Sequence, residues 1–143
     1  MKFSTRARYG LRAMVELALN YDQGLVSVRT ISENQGISEA YLEQIMSNLV
    51  KSGLVKSNRG VQGGYTLTRE PAGILVGEII RALEGPIVPV ECVSTDFPAT
   101  CERFEKCVSR LVWQKVKTVI DEALNSLSLE DLRMELAKKL TLP

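Results

Sequence analysis

Two short helical patterns separated by one glycine, and followed at once by a glycine-rich hairpin, constrain the fold of this chain more than any other feature. In the first pattern, Ser27 is placed to cap a helix that Gly36 ends. In the second, Ser38 is the N-cap, and Ile37 can pack on Leu42 as a hydrophobic staple. The segment therefore predicts two helices joined by a tight turn. Apolar residues recur at helical spacing in the second pattern, at Leu42, Ile45, Met46, Leu49 and Val50.

The residues around these two patterns predict a small sheet and a preceding helix. LVKS, NRGVQGG and YTLT read as a strand, a glycine-rich turn and a second strand, which together form a hairpin. An earlier helix should begin near Ser4 or Thr5, because both residues are good N-caps. The expected fold class is mainly α with a small β-wing, which is the layout of a winged helix-turn-helix.

The second half of the chain predicts a long loop between helices. A short strand at Ile74–Leu75 should precede a helix, and residues 85–106 show no periodicity. A long helix with an apolar stripe is expected from about Val108 to Leu127. Ser128 and Asp131 then resemble a capping box that opens a last helix.

The polar face of the second patterned helix is suited to reading DNA. It presents Glu43, which can accept from a cytosine amino group, Gln44, which can bond adenine, and Ala40, which can touch a thymine methyl. Ser38 and Tyr41 stand where a helix N-terminus and a hydroxyl can hold phosphates. The alternative is a solvated face on a structural or protein-binding module. The face as a whole consists of Glu39, Ala40, Glu43, Gln44, Ser47 and Lys51.

The hairpin tip adds a second candidate contact. Arg59 can enter a narrow minor groove, and Gly60, Gly63 and Gly64 beside it permit close backbone approach. GVQGGY lacks the GxxxxGK[ST] pattern and leads into a strand, which argues against a nucleotide site.

Charge and hydropathy limit the setting of the chain. The net charge is +1, but residues 1–70 contain nine Lys or Arg against six Asp or Glu, which weakly favours a polyanionic partner. No apolar run approaches the roughly 20 residues of a membrane span, so we expect no membrane partner. No apolar signal region follows MKFSTRARYG, and a cytoplasmic location is therefore expected.

All three cysteines of the chain lie within CVSTDFPATCERFEKC, and the chain contains no histidine. Cys92, Cys101 and Cys107 suit a soft metal, either zinc or an iron–sulfur cluster. Their spacing also leaves open redox-active thiols or inert thiols. Three thiols leave one coordination position open, and the carboxylates near them are Glu91, Asp96, Glu102 and Glu105.

Three stretches resemble the IscR-type family of winged-helix regulators: MKFSTRARYGLRAMVELALN, ISEAYLEQIMSNLVKSGLVKSNRGVQGGYTL and VGEIIRALEG. The resemblance covers Met1 to about Leu127. It implies a homodimer crossed by the long helix, with two heads that read a pseudo-palindromic double-stranded DNA operator. The residues matching Ser38, Ala40, Glu43 and Gln44 lie in the major groove in this family, and the one matching Arg59 lies in the minor groove.

The resemblance also implies that Cys92, Cys101 and Cys107 are cluster ligands, because they match the three cluster cysteines of the family in order. Two positions depart from the family pattern. Arg110 replaces the histidine ligand of IscR-like members, and Arg8 replaces the aspartate that NsrR-like members draw from the partner subunit. We therefore expect a loop carboxylate as fourth ligand, with Glu105 ahead of Glu102. A [2Fe-2S] cluster is favoured, with [4Fe-4S] as the alternative.

These observations define one prediction for each part of the chain. Residues 1–84 are a winged helix-turn-helix DNA-binding domain, residues 85–107 a cluster-binding cysteine loop, and residues 108–143 a dimerisation helix and a C-terminal helix. The expected function is that of a DNA-binding transcriptional regulator that senses iron–sulfur cluster status and controls iron–sulfur cluster biogenesis genes. The alternatives are a cluster-free thiol or cysteine-metabolism regulator and a nitric-oxide sensor. No residue set indicates an enzyme.

Overall fold

The computed structural model describes residues 1–96 and 100–142. These residues form six α-helices and a two-stranded antiparallel sheet, as the sequence predicts for a mainly α chain with a β-wing. In chain order the elements are α1 (Thr5–Leu19), α2 (Val28–Gln35), α3 (Glu39–Lys51), β1 (Val55–Asn58), β2 (Gly64–Leu67), α4 (Val76–Glu84), α5 (Arg110–Asn125) and α6 (Leu129–Leu140).

Serine caps fix where the first three helices begin. The hydroxyls of Ser4, Ser27 and Ser38 each accept a hydrogen bond from a backbone N–H three residues on, which satisfies a donor with no partner inside the helix. Gly36 ends α2 with a φ of 66°, a left-handed conformation that glycine adopts without steric cost. The three caps and the glycine stop confirm the predicted helix–turn–helix.

The hairpin wing extends directly from α3. Val55 pairs with Leu67 at the open end, and Asn58 pairs with Gly64 next to the turn. Each strand is shifted by one residue from its predicted bounds, to Val55–Asn58 and Gly64–Leu67. Val26, just before α2, also exchanges backbone hydrogen bonds with Tyr65 and so fixes the wing against the helix-turn-helix.

The predicted strand at Ile74–Leu75 is wrong. A single 3-10 turn at Pro71–Gly73 comes first, and Leu75 forms only an isolated bridge with Ser128. The backbone N–H of Leu129 donates to Ile74 O at 2.8 Å, and that of Val76 donates to Leu127 O at 2.9 Å. These bonds go to the junction between α5 and α6 rather than to a neighbouring strand, so they tie the start of α4 to that junction.

The core lies between α1, α3 and α4, and α5 stands largely outside it. Leu42, Ile45 and Leu49 of α3 are almost completely buried. No residue of α5 is fully buried within the described chain, and Leu111 and Val119 are 73% and 57% exposed. The predicted apolar stripe of this helix is thus largely solvent-facing in the single chain.

The cysteine loop is not free of local structure, although no periodicity was visible in its sequence. It contains 3-10 turns at Glu91–Val93 and Phe104–Lys106. Residues 97–99 of the loop lie outside the described residues. In the described parts of the chain, none of the helices is both long and apolar enough to span a membrane.

Candidate nucleic-acid interface and thiol loop

The outward face of α3 is exposed along its whole length. Ser38, Ala40, Glu43 and Gln44 are all exposed, whereas the apolar residues on the opposite face of the helix are buried. This pattern follows from the amphipathic spacing of α3, since its apolar stripe is buried against α1 and α4. The predicted separation of core and outward residues in α3 is confirmed.

Tyr41 differs from the other predicted contact residues because it is half-buried. Its ring meets the ring of Tyr9 in α1 edge to face, with centroids 6.1 Å apart. The ring therefore packs against α1, and part of the side chain remains exposed.

A recess of about 660 Å³ lies between α3 and the wing. Glu43 on the helix and Arg59 and Gly63 on the hairpin all line it, so the structure brings these three predicted residues together. A side chain at Gly63 would lie 2.4 Å from the carbonyl oxygen of Asn58. Glycine is therefore required there by the tight hairpin, whatever else the position does.

Glu43 affects the electrostatics of this recess. Burial, followed by the nearby Glu43 carboxylate, raises the pKa of the Tyr65 hydroxyl. A negative charge on α3 thus faces the wing, where it would repel phosphates unless it meets a hydrogen-bond donor such as a base amino group.

A second recess, of about 590 Å³, also borders the outward face of α3. It is lined by Ala40 and Gln44, which brings two further predicted residues together, and by Lys51. Arg6 of α1 also borders this recess, although the sequence reasoning did not single it out. No local pattern in the sequence identifies Arg6, because its position beside α3 depends on how α1 packs against that helix.

The three cysteines are free thiols, and the structure does not bring them together as a ligand set. Cys92 and Cys107 are partly exposed, and Cys101 is exposed. Across residues 1–96 and 100–142, no three His, Cys, Asp or Glu side chains lie close enough to hold a metal ion. The thiols suit a cluster by their chemistry, while the arrangement here is not an assembled site, and ligation by Cys92, Cys101, Cys107 and Glu105 or Glu102 stays a prediction.

Cys107 has an environment that favours its thiolate. Its sulfur lies 3.1 Å from the hydroxyl oxygen of Ser109. The Ser109 hydrogen bond, and next the backbone N–H of Arg110, lower the pKa of the Cys107 thiol. The guanidinium of Arg110 itself stacks over the Phe104 ring, 3.8 Å from its centroid. A thiolate is the form of cysteine that binds metals and reacts with oxidants.

The cysteine loop is connected to the DNA-facing domain through α5. The Glu91–Val93 turn, which contains Cys92, packs on α5, and Val93 is buried. Asp121 of α5 then binds Arg81 of α4 at 3.1 Å and Lys117 at 2.7 Å. A continuous set of contacts therefore runs from a cysteine to α4, which packs on α1 and α3.

The fold and the exposed face of α3 define a winged helix-turn-helix transcription regulator. The chain belongs to the Rrf2 family, whose sequence model, described as an iron-dependent transcriptional regulator, matches residues 3–135. Regulators of this family bind DNA.

Named relatives agree with this assignment. The chain is 46% identical over 132 residues to the regulator CymR of Bacillus subtilis, covering 92% of this chain and 89% of that one. It is 38% identical over 132 residues to IscR of Xenorhabdus nematophila, covering 92% and 79%. These relatives are transcriptional regulators rather than enzymes, which confirms that part of the prediction.

Solved structures give the same result. The chain superposes on CymR, the global cysteine regulator of B. subtilis, with a TM-score of 0.77, 43% identity and coverage of 94% and 98% of the two chains. It superposes on T. potens IscR with a TM-score of 0.76, 44% identity and coverage of 100% and 93%. The predicted resemblance to IscR-type regulators is confirmed, and cysteine regulators are as similar as IscR proteins.

Proposed function

We propose that this chain acts as a homodimer that binds a pseudo-palindromic DNA operator and responds to iron–sulfur cluster status. The observation that carries the DNA-binding part is the common recess of Glu43, Arg59 and Gly63, which joins the α3 face to the wing. An α-helix fits the major groove, and an arginine on an adjoining hairpin can then reach the neighbouring minor groove.

In this proposal each residue of the interface has one role. Gln44 and Glu43 read base edges and Ala40 contacts a thymine methyl, while Ser38 and the Tyr41 hydroxyl hold phosphates. Gly63 keeps the wing backbone tight enough for Arg59 to project from its tip. These residues belong to a DNA-binding domain of residues 1–84.

The exposed stripe of α5 supports the homodimer. Leu111, Val112 and Val119 are each more than half exposed. A row of large apolar side chains on one helix is costly in water and is typical of an interface. A second copy of α5 would cover it, and two reading heads related by a two-fold axis would then match the two halves of a pseudo-palindrome. Residues 108–143 thereby form the dimerisation region.

Residues 85–107 form the sensing region in this proposal. Cys92, Cys101 and Cys107 would hold the cluster, with Glu105, or alternatively Glu102, as fourth ligand, and with [2Fe-2S] favoured over [4Fe-4S]. When bound, such a cluster supplies a centre sensitive to iron supply, oxidants and nitric oxide. The chain contributes the Cys107 thiolate and the packing of the Glu91–Val93 turn on α5, through which a change in the loop reaches α4.

A cluster-free thiol or cysteine-metabolism regulator is the second candidate. The similarity to CymR favours it, and so does the lowered pKa of an accessible Cys107 thiol. A nitric-oxide sensor remains a variant of the first candidate, because it would use the same cluster. The two candidates share the DNA interface and differ only in what the three cysteines bind.

Selection from a randomised duplex library tests the DNA-binding part directly. Wild-type protein should enrich a pair of related half-sites separated by about one helical turn or a multiple of it. Enrichment of a single unpaired site would contradict the dimer, and enrichment of no sequence would contradict DNA reading by α3.

A further inference from the structure

Arg6 belongs to α1 and lies beside α3, the helix proposed to enter the major groove. It lies in the first turn of α1, exposed, and borders the same recess as Ala40 and Gln44 of α3. The start of α1 is held in place, because the Ser4 backbone N–H donates to Glu84 Oε1 of α4 at 2.7 Å. The position of Arg6 relative to α3 is therefore set by the fold.

The guanidinium of Arg6 has no partner of its own. It forms no hydrogen bond or ion pair with any residue in the ranges 1–96 and 100–142. Its neighbours on α1 differ, since Arg8 donates to the Thr5 hydroxyl and Arg12 donates to Gln35. Arg6 thus places a cation without a partner among the described residues at the border of the recess on α3.

Helix stability does not account for a cation at this position. The first turn of α1 contains no acidic residue, and the N-terminal end of a helix already carries partial positive charge. A cation there is unfavourable, whereas Lys51 in the last turn of α3 is favourable for that helix. The arrangement at Arg6 is suited to an anion that approaches α3 from the side of α1.

We propose that Arg6 contacts a backbone phosphate of the DNA strand that flanks α3 and so sets how the helix sits in the groove. The inference rests on the proposed DNA-binding function and adds a contact from α1 to it. The planar guanidinium suits a bidentate contact with an anion, and phosphate is the anion that borders a major groove. Such a contact positions the protein without reading bases.

The test is the salt dependence of DNA affinity. A labelled duplex enriched by the wild-type protein is titrated with wild type, Arg6→Gln and Arg6→Lys at several KCl concentrations between 50 and 200 mM. For Arg6→Gln, the slope of log affinity against log salt should fall by about 1 for each DNA-bound chain. Arg6→Lys should restore most of that slope because it keeps the charge.

Two controls separate this role from others. Lys139→Gln removes an exposed cation on α6 that does not border the recess and should leave the slope unchanged. Thermal unfolding of Arg6→Gln should show no loss of stability, because the substitution removes an unfavourable charge from the start of α1.

The possible outcomes are distinct. An unchanged slope with Arg6→Gln would overturn the phosphate contact while leaving the proposed function intact. Altered base preference in Arg6→Gln would also overturn it, since affinity should fall equally for the enriched duplex and its single-base variants. If the wild-type protein enriched no duplex at all, both the contact and the proposed function would be wrong.

Discussion

Tyr9 of α1 and Tyr41 of α3 meet edge to face, with their ring planes at 89° and their centroids 6.1 Å apart. Arg12 places its guanidinium 5.3 Å from the Tyr9 ring and also donates to the side chain of Gln35 at the end of α2. One face of α1 therefore contacts both helices of the helix-turn-helix. Because these contacts lie beside the exposed face of α3, they help to fix the position of α3 against α1.

Tyr41 should have separable roles for its ring and its hydroxyl. Tyr41→Phe keeps the edge-to-face contact, so the free energy of unfolding in urea should change by less than about 0.5 kcal/mol. DNA affinity should nevertheless fall, because the hydroxyl can no longer donate to a phosphate. The companion Tyr9→Leu should lower stability by about 0.5–1.5 kcal/mol. Full DNA affinity in Tyr41→Phe would remove the hydroxyl from the interface.

Arg59 should contribute directly to DNA affinity. Arg59→Ala should weaken binding of an enriched duplex by about 1–3 kcal/mol, measured by fluorescence anisotropy, if the side chain enters a minor groove. Stability should not change, since the residue is exposed at the tip of the wing. Lys56→Ala, an exposed cation on β1 outside the recess, is the matched control. Equal affinities for Arg59→Ala and wild type would exclude this role.

Asp121 should stabilise the contact between α4 and α5 in a pH-dependent way. The Lys117 hydrogen bond and then Arg81 lower the pKa of this carboxyl. Its contribution is therefore complete above the unfolded pKa of about 3.9 and is lost as the pH falls through the lower folded value. Asp121→Asn should reduce the free energy of unfolding by about 1 kcal/mol at pH 7.

The difference between Asp121→Asn and wild type should shrink as the pH is lowered below about 4. Urea unfolding at a series of pH values measures it. Glu122→Gln is the control, because Glu122 is exposed on the same helix and forms no ion pair with other described residues. A difference that stayed constant down to pH 2 would show that the carboxylate charge is not what matters.

Cys107 should be required for a cluster but not for assembly. Cys107→Ala, purified and reconstituted without oxygen, should lose the visible absorption of the wild type and its iron and sulfide. Light scattering should still give a dimer, since the exposed stripe of α5 is unchanged. Ser94→Ala, another small substitution in the cysteine loop, should keep the colour. Persistent colour in Cys107→Ala would exclude Cys107 as a ligand.

Wild-type protein that stays colourless after reconstitution would favour the thiol candidate instead. In that case Cys107 should be the thiol that an alkylating reagent modifies first, because the Ser109 hydrogen bond lowers its pKa. Preferential modification of Cys101, which is the more exposed thiol, would contradict this.

Local signals predicted the helix-turn-helix because its determinants are close in sequence. Ser27, Ser38 and Gly36 act on backbone groups within a few residues, so the caps and the stop could be read directly. The prediction of a strand at Ile74–Leu75 was wrong because the determinants of this segment are distant in sequence. Its backbone partners lie in the junction that contains Ser128, and no local pattern shows which segment a short apolar stretch will meet.

The outward residues of α3 could be predicted from the sequence, whereas the contribution of α1 and the fourth cluster ligand could not. Helical periodicity alone identified the outward face of Ala40, Glu43 and Gln44. Arg6 was not identified, because its position beside α3 depends on how α1 packs against that helix. A fourth ligand could not be derived either, since a carboxylate such as Glu105 becomes a ligand only through the three-dimensional arrangement of the loop, which residue spacing does not define.

The most direct test of the proposed regulator is the dissociation constant for an enriched duplex, measured without oxygen on reconstituted protein and on the same protein after chelation. If the loop controls the reading heads through α5, the two values should differ by at least ten-fold, or about 1.4 kcal/mol. Cys107→Ala should match the chelated protein under both conditions. Equal affinities for all of these samples would contradict control of DNA binding by the cysteine loop.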